Sequence, residues 1–146
     1  MKRISAIICA YNEENTIENV IRAASQSKLL SEIIVVNDGS EDKTSRILWH
    51  LKNEIDFKII DLAENMGKGY AMATGIELST GGIIAFIDAD LYDLNPCHID
   101  ELITPILSDE ANMVLGQPSE TVINYAINPF KVLTGERTLL KSDILP

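Results

Sequence analysis

A chain of 146 residues suits one domain that buries roughly two thirds of its unfolded surface, and 46% hydrophobic with 23% charged residues is the balance of a folded globular protein. Its formal net charge of −10, from 22 acids against 12 Lys and Arg, argues against nucleic acid as a partner, because phosphate backbones are held by clustered Lys and Arg. A negatively charged small ligand would need a metal ion or local backbone amides to offset the acids.

The two cysteines, Cys9 and Cys97, belong to no C-x-x-C pair, and Cys9 in its apolar run reads as a buried, inert thiol. No apolar stretch approaches the roughly 20 residues of a membrane span. The short run Ile4 to Ala10 meets Asn12-Glu13-Glu14 at once, unlike a signal peptide. A cytoplasmic protein is expected, with peripheral membrane contact left open.

Strand-like and helix-like segments alternate, the mark of βαβ units and a mostly parallel sheet. The first strand is Ile4 to Cys9. Asn12 stands as an N-cap with Glu13 and Glu14 in the first turn, and Ile17, Val20, Ile21 and Ala24 at i, i+3, i+4 and i+7 predict an amphipathic helix. Ile33-Ile34-Val35-Val36 is a continuous apolar run. It closes at Asn37-Asp38-Gly39-Ser40, where Gly39 supplies the turn and Ser40 caps a second helix from Glu41 that carries Ile47, Leu48 and Leu51. Phe57 to Leu62 reads as a third strand, after which Asn65-Met66-Gly67-Lys68-Gly69 opens a helix that Gly81-Gly82 ends. Ile83 to Ile87, apolar throughout, predicts a strand buried on both faces and ending in Asp88-Ala89-Asp90. Beyond Pro96, Ile99, Leu102, Ile103, Ile106 and Leu107 share one helical face, and Met113-Val114-Leu115 reads as a short strand. From Gly116 onward the pattern weakens, and Thr121 to Leu133 suits helix or extended chain equally. One domain over residues 1–146 is expected.

Ligands of open α/β sheets gather at the carboxyl ends of the strands, and here those positions are polar. Asp88 and Asp90, at i and i+2 of extended chain, place two carboxylates near one point, and a hard cation such as Mg²⁺ or Mn²⁺ would relieve their repulsion. A solvated turn is the plainer account of an isolated D-x-D. Its place after a wholly apolar strand favours the metal. Turn and cap explain Gly39 and Ser40; Asp38 is explained less well, and its carboxylate suits the imide edge of a uracil or another base. Lys68 in a first helical turn opposes the helix dipole unless an anion lies nearby, which points to phosphate, although a merely exposed lysine is the alternative.

Other phosphate and catalytic motifs fail. A Walker A loop would need glycine where Leu62 stands and Ser or Thr in place of Gly69, and a dinucleotide G-x-G-x-x-G would need glycine in place of Met72. Neither G-x-S-x-G nor H-E-x-x-H occurs, and His50 and His98 read as surface positions. A sugar nucleotidyltransferase should carry a glycine-rich, Arg-containing loop after strand one, whereas the first glycine is Gly39.

Taken together, Ala10-Tyr11-Asn12-Glu13-Glu14, Val35 to Ser40 with Asp42 and Thr44, Asn65 to Gly69 with Ala71, and Asp88-Ala89-Asp90 resemble the family 2 glycosyltransferases over about residues 3–115, and Gly135-Glu136-Arg137 resembles them weakly. The resemblance implies an α/β, GT-A-type Rossmann-like sandwich with helices flanking a mostly parallel sheet. It implies an enzyme that moves a sugar from a nucleoside diphosphate sugar, a UDP-sugar by preference, to an acceptor. Ala10, Tyr11 and Glu13 would border the nucleoside, Asp38 the base, Lys68 the donor, and Asp88 and Ala89 the ribose or base. Asp90, with Asp88, would hold the Mg²⁺ or Mn²⁺ ion.

Inverting members carry a catalytic acid and an acceptor loop well beyond the D-x-D, so the resemblance implies a C-terminally truncated or minimal domain and leaves the catalytic residue unassigned. A phosphate acceptor is already ionised and needs only cations to place it, which Arg137 and Lys141 would supply, although both also suit a solvated surface. The competing expectation is a noncatalytic fragment that binds the nucleotide sugar without an acceptor half.

Overall fold

In a computed structural model the described residues are 2–116 and 136–144. The segment Thr121 to Leu133, left open above, lies outside them. Two strands form the centre of the sheet, β1 (Ile4–Ala10) and β4 (Ile83–Asp88). Both are nearly free of polar side chains and both are buried on two faces, as parallel strands covered by helices must be. β2 (Glu32–Asn37) pairs parallel with the other side of β1, and β3 (Lys58–Asp61) extends the sheet parallel to β2. Beyond β4 come β6 (Arg137–Leu140), antiparallel, and then β5 (Met113–Leu115), giving the order β3-β2-β1-β4-β6-β5. The sheet is mostly parallel, as expected, with β6 the one reversed strand among those described.

Helices α1 (Ile17–Gln26), α2 (Thr44–Leu51) and α4 (Pro96–Leu107) pack on one face. Ile17, Val20, Ile21 and Ala24, then Leu48 and Leu51, then Ile99, Ile103 and Ile106 meet Ile4, Ala6, Ile8, Val35, Ala85 and Ile87 in one core. The other face carries α3 (Lys68–Leu78). Gly75 lets α3 lie close, since a Cβ there would stand 2.5 Å from Cγ2 of Ile7. No helix among the described residues is long and apolar enough to cross a membrane.

Two helix starts differ from the sequence reading. Helix α1 begins at Ile17, not directly after Asn12, and α2 begins at Thr44, not at Glu41. Asn12 has φ 58° and its side-chain oxygen accepts from the amides of Glu41 and Asp42 at 2.8 and 3.3 Å, while the Ser40 hydroxyl accepts from the Asn12 amide at 3.0 Å. Each residue read as a cap of its own helix satisfies the neighbouring loop instead. Strand β3 is also shorter than Phe57 to Leu62.

At the amino-terminal edge of the sheet, Glu32 accepts hydrogen bonds from Ser5 Oγ (2.6 Å), from the amide and hydroxyl of Thr80 (2.6 and 2.8 Å) and from Lys58 Nζ (2.8 Å). Burial works against its charged form, but these donors prevail and hold its pKa down from 4.5 to about 2. A depressed carboxyl adds stability that is complete above its unfolded value and is lost as pH falls toward the folded one. The acid-induced loss of stability between pH 4.5 and pH 2 is therefore expected to be shallower in Glu32→Gln than in the parent, as read from thermal melts across that range.

Candidate active site

The carboxyl ends of β1, β2 and β4 and the loop between β3 and α3 open on one edge, where they enclose a cleft of about 350 Å³. It is lined by Cys9, Ala10, Tyr11, Glu13, Asp38, Asn65, Gly67, Lys68, Asp88, Ala89 and Asp90. Every residue expected to contact donor or metal is in that lining. Cys9, Asn65 and Gly67 join them.

Backbone pairing sets this arrangement. Cys9 is the register partner of Val36 on one side and of Asp88 on the other, and the Asp38 amide donates to the Ala10 carbonyl at 2.8 Å just past the end of β2. Asp38 is buried, and its two carboxylate oxygens accept from the amides of Met66 (2.8 Å) and Gly67 (2.9 Å). Gly39 follows with φ 67°, and a Cβ there would meet the backbone carbon of Glu64 at 2.4 Å. Only glycine fits a left-handed turn pressed so closely on the next loop. Across the other seam, the Glu13 amide donates to Thr44 Oγ1 (2.8 Å), the Glu14 amide to Asp42 (3.1 Å), and the Lys43 amide to Glu14 (3.0 Å). Asp42 and Thr44 thus serve the wall of the cleft without lining it.

The electrostatics are dominated by acids. Burial raises the Glu13 carboxyl above its ordinary value; the Thr16 hydroxyl offsets part of that, and the Asp90, Asp42 and Asp88 carboxylates add to it. Glu136, half-buried beside β6, is raised first by burial and further by Asp88 and Asp90. Its carboxyl therefore feels the charge of the same pair of acids, a neighbour that the sequence did not reveal because β6 is a four-residue strand with no periodicity of its own. Lys68 is the cation in the lining, and its ammonium pairs with Asp88 Oδ1 at 2.7 Å. Burial pushes the Cys9 thiol up to about 12, against the lowering effect of Lys68, so it stays protonated as an inert thiol should.

No cluster of three or more His, Cys, Asp or Glu side chains with metal-binding geometry exists among the described residues. The acids do fit a cation of another kind, one held by one or two carboxylates and completed by water and a ligand's phosphates. Glu13 and Glu136 are raised first by burial and only then by Asp88 and Asp90, and it is this second, repulsive part that such an ion would relieve.

The two cations expected at an acceptor part company. Arg137 lies on the α3 face next to the cleft, with its guanidinium 5.9 Å from the Phe86 ring centre, and shares a small cavity with Cys9, Lys68, Met72 and Asp88. Its buried Nε has no partner among the described residues. Lys141 is at the opposite edge. Its amide donates to Gly82, and its ammonium holds the carbonyl and hydroxyl of Ser79 at 2.8 and 2.9 Å, where α3 ends. His50 and His98 are exposed, as expected, and neither lines the cleft.

Comparison with known proteins settles the family. The model of "Glycosyl transferase family 2" matches residues 5–131. The chain belongs to glycosyl transferase family 2. Among curated proteins, this family 2 chain is similar to the poly-beta-1,6-N-acetyl-D-glucosamine synthase of Staphylococcus aureus, with 36% identity over 94 residues, 62% of this chain and 22% of that protein. Among solved structures it is similar to glucosyl-3-phosphoglycerate synthase from Mycobacterium tuberculosis, crystallised with Mn²⁺, UDP-glucose and phosphoglyceric acid. That match has a TM-score of 0.77 and 26% identity, and covers 97% of this chain and 57% of that one. The fold is shared as well by TarS of S. aureus, with a TM-score of 0.73 at 20% identity over 96% of this chain and 47% of that one. The chain thus spans only part of the length of the relatives that it matches, and the fold is that of the GT-A glycosyltransferases.

Within this family 2 domain, Asp38 is the strut between two walls of the cleft. Asp38→Ala removes the acceptor of the Met66 amide and one of two acceptors of the Gly67 amide, which keeps Asn65 Oδ1 at 2.9 Å, and is expected to cost about 1–3 kcal/mol of stability in urea unfolding. Faster amide hydrogen exchange at Met66 and Gly67 should accompany the loss.

Proposed function

We propose that the chain binds a nucleoside diphosphate sugar, a UDP-sugar by preference, in the strand-end cleft and transfers its glycosyl group to an acceptor with the help of Mg²⁺ or Mn²⁺. The observation that carries this reading is the meeting of four separate loops at one cleft, so that Asp38, Lys68, Asp88 and Asp90 face a shared volume. Residues 1–146 are read as one donor-binding glycosyltransferase domain.

Ala10, Tyr11 and Glu13 border the nucleoside. Asp38 contacts the base through lone pairs that its two loop amides leave unused, since a carboxylate has about four acceptor sites. Asp88 and Ala89 approach the ribose, and Asp90, exposed at the rim, is the principal metal ligand with Asp88. A cation there would stabilise the charge that develops on the departing nucleoside diphosphate. Lys68 and the free amides of the first turn of α3 face the same diphosphate oxygens, where the helix dipole favours negative charge. The crystallised relative that holds Mn²⁺, UDP-glucose and phosphoglyceric acid supports the donor, the metal and an acceptor bearing phosphate.

An ionised phosphate needs orientation more than a general base. Arg137 suits that task, because its guanidinium lies on the α3 side of Asp88 and its Nε lacks a partner among the described residues. Lys141, committed to Ser79 at the far edge, is left out of the acceptor site.

Calorimetric titration of UDP and GDP, each with and without Mn²⁺, tests the donor, and release of free sugar from the UDP-sugar or its transfer tests turnover. Tight, Mn²⁺-dependent UDP binding with turnover is expected; binding without either reaction would instead mark a donor-binding module. Asp90→Ala should remove the Mn²⁺-dependent part of UDP binding, and an undiminished Mn²⁺ effect in that variant would overturn the metal assignment.

A further inference from the structure

The Lys68–Asp88 pair is in the wrong state for the chemistry just proposed. Asp88 is wanted by a cation, and Lys68 is wanted by a diphosphate, yet each is engaged by the other at 2.7 Å. We infer that Lys68 is a built-in counter-ion that occupies Asp88 until a nucleoside diphosphate arrives, so that the cleft takes up its divalent ion as the metal–nucleoside diphosphate complex and not as the free ion. The inference rests on the donor-site reading above and specifies the chemical form in which that donor binds.

Three observations support it. First, Asp88 Oδ1 already carries a full positive charge within hydrogen-bond distance, so a dication approaching that carboxylate meets both a spent ligand and a like charge. Second, the ligands left over are too few. Asp90 has no hydrogen-bond partner among the described residues, but no third metal-binding side chain joins it there, so the phosphate oxygens of a ligand must complete the coordination shell. Third, Lys68 has room to leave. Its side chain is 56% exposed, and the glycines on either side, Gly67 and Gly69, face open space, with no neighbouring atom within 4 Å of where a Cβ would stand. A flexible four-carbon stem at the first position of α3 can then swing from the carboxylate to a phosphate oxygen of stronger charge.

The exchange is self-consistent in charge. Before binding, the ammonium offsets one acid of the Glu13, Asp88, Asp90 and Glu136 group. On binding, Asp88 would be released to hold the dication, and the Lys68 ammonium would turn to the diphosphate. The two charges of the dication match the two of a nucleoside diphosphate sugar, so the net charge of the cleft is the same before and after the exchange.

The experiment is calorimetric titration of MnCl₂ alone, and of UDP at saturating Mn²⁺, into the parent chain, Lys68→Met, Lys68→Arg and the double variant Lys68→Met with Asp88→Asn. The parent should take up free Mn²⁺ only weakly. Lys68→Met should bind free Mn²⁺ about three- to tenfold more tightly and UDP with Mn²⁺ about tenfold more weakly, two effects of opposite sign from one substitution. Lys68→Arg, which keeps the charge, should stay near the parent with MnCl₂ alone, and Asp88→Asn should cancel the gain of Lys68→Met. Because the Lys68 side chain is 56% exposed, these variants test the exchange and not folding, which thermal melts will verify. Unchanged or weaker binding of free Mn²⁺ by Lys68→Met, or tight binding of free Mn²⁺ by the parent, overturns the exchange while leaving the donor site standing if UDP still binds with Mn²⁺. Failure of the parent to bind UDP at all overturns both.

Discussion

Parallel pairing of β1 with β2 on one side and β4 on the other is the constraint from which the rest follows. It brings three carboxyl ends side by side, so Ala10, Asp38 and Asp88 become neighbours although 28 to 78 residues separate them. The pairing is secured by burial on both faces, one against α1, α2 and α4 and the other against α3. A strand covered on both sides has no polar face to expose, and its first chance to present polar side chains comes where it ends. For this reason the chemistry collects at the strand ends, and the opposite edge is left to structural polar contacts such as those of Glu32 and Lys141.

The loops that carry the chemistry are held by one another more than by their own helices. Asn12 binds the amides of residues 41 and 42, Thr44 binds that of Glu13, and Asp38 binds those of residues 66 and 67. Gly39 lets the second and third loops touch backbone to backbone. Such cross-loop bonds make the cleft walls rigid in pairs, which is what a site needs if a few acids are to keep their spacing. They also account for Asp42 and Thr44, which serve the site from behind its wall.

Charge reconciles so acidic a chain with the doubly anionic donor proposed for it. The chain carries a net charge of −10, and the cleft gathers acids instead of avoiding them. An acidic cleft repels a bare diphosphate and attracts a cation. Joined, as in the proposed donor complex, the two would form a ligand that the acids favour, with Lys68 and the amides of α3 available to the phosphates from the other side.

Much of this was legible in the residues. Continuous apolar runs marked β1, β2 and β4, three- and four-residue spacing marked α1 and α4, glycines bounded α3, and polar residues at consecutive strand ends marked the site, because burial and periodicity act over a few neighbouring residues. The order of those segments also fixed the mostly parallel sheet. What the residues could not decide was which partner each polar group would take. Asn12 and Ser40 have the chemistry of helix caps, and Asp38 that of a base acceptor, but hydrogen-bond partners are chosen by proximity in space. The same holds for the four residues of β6, which become a strand only by fitting between β4 and β5, and so bring Glu136 and Arg137 up to Asp88 while carrying Lys141 away. Local pattern, then, determined the elements and the edge on which the site lies, while tertiary pairing alone decided which charges meet there, since an ion pair depends on a distance that sequence separation does not set.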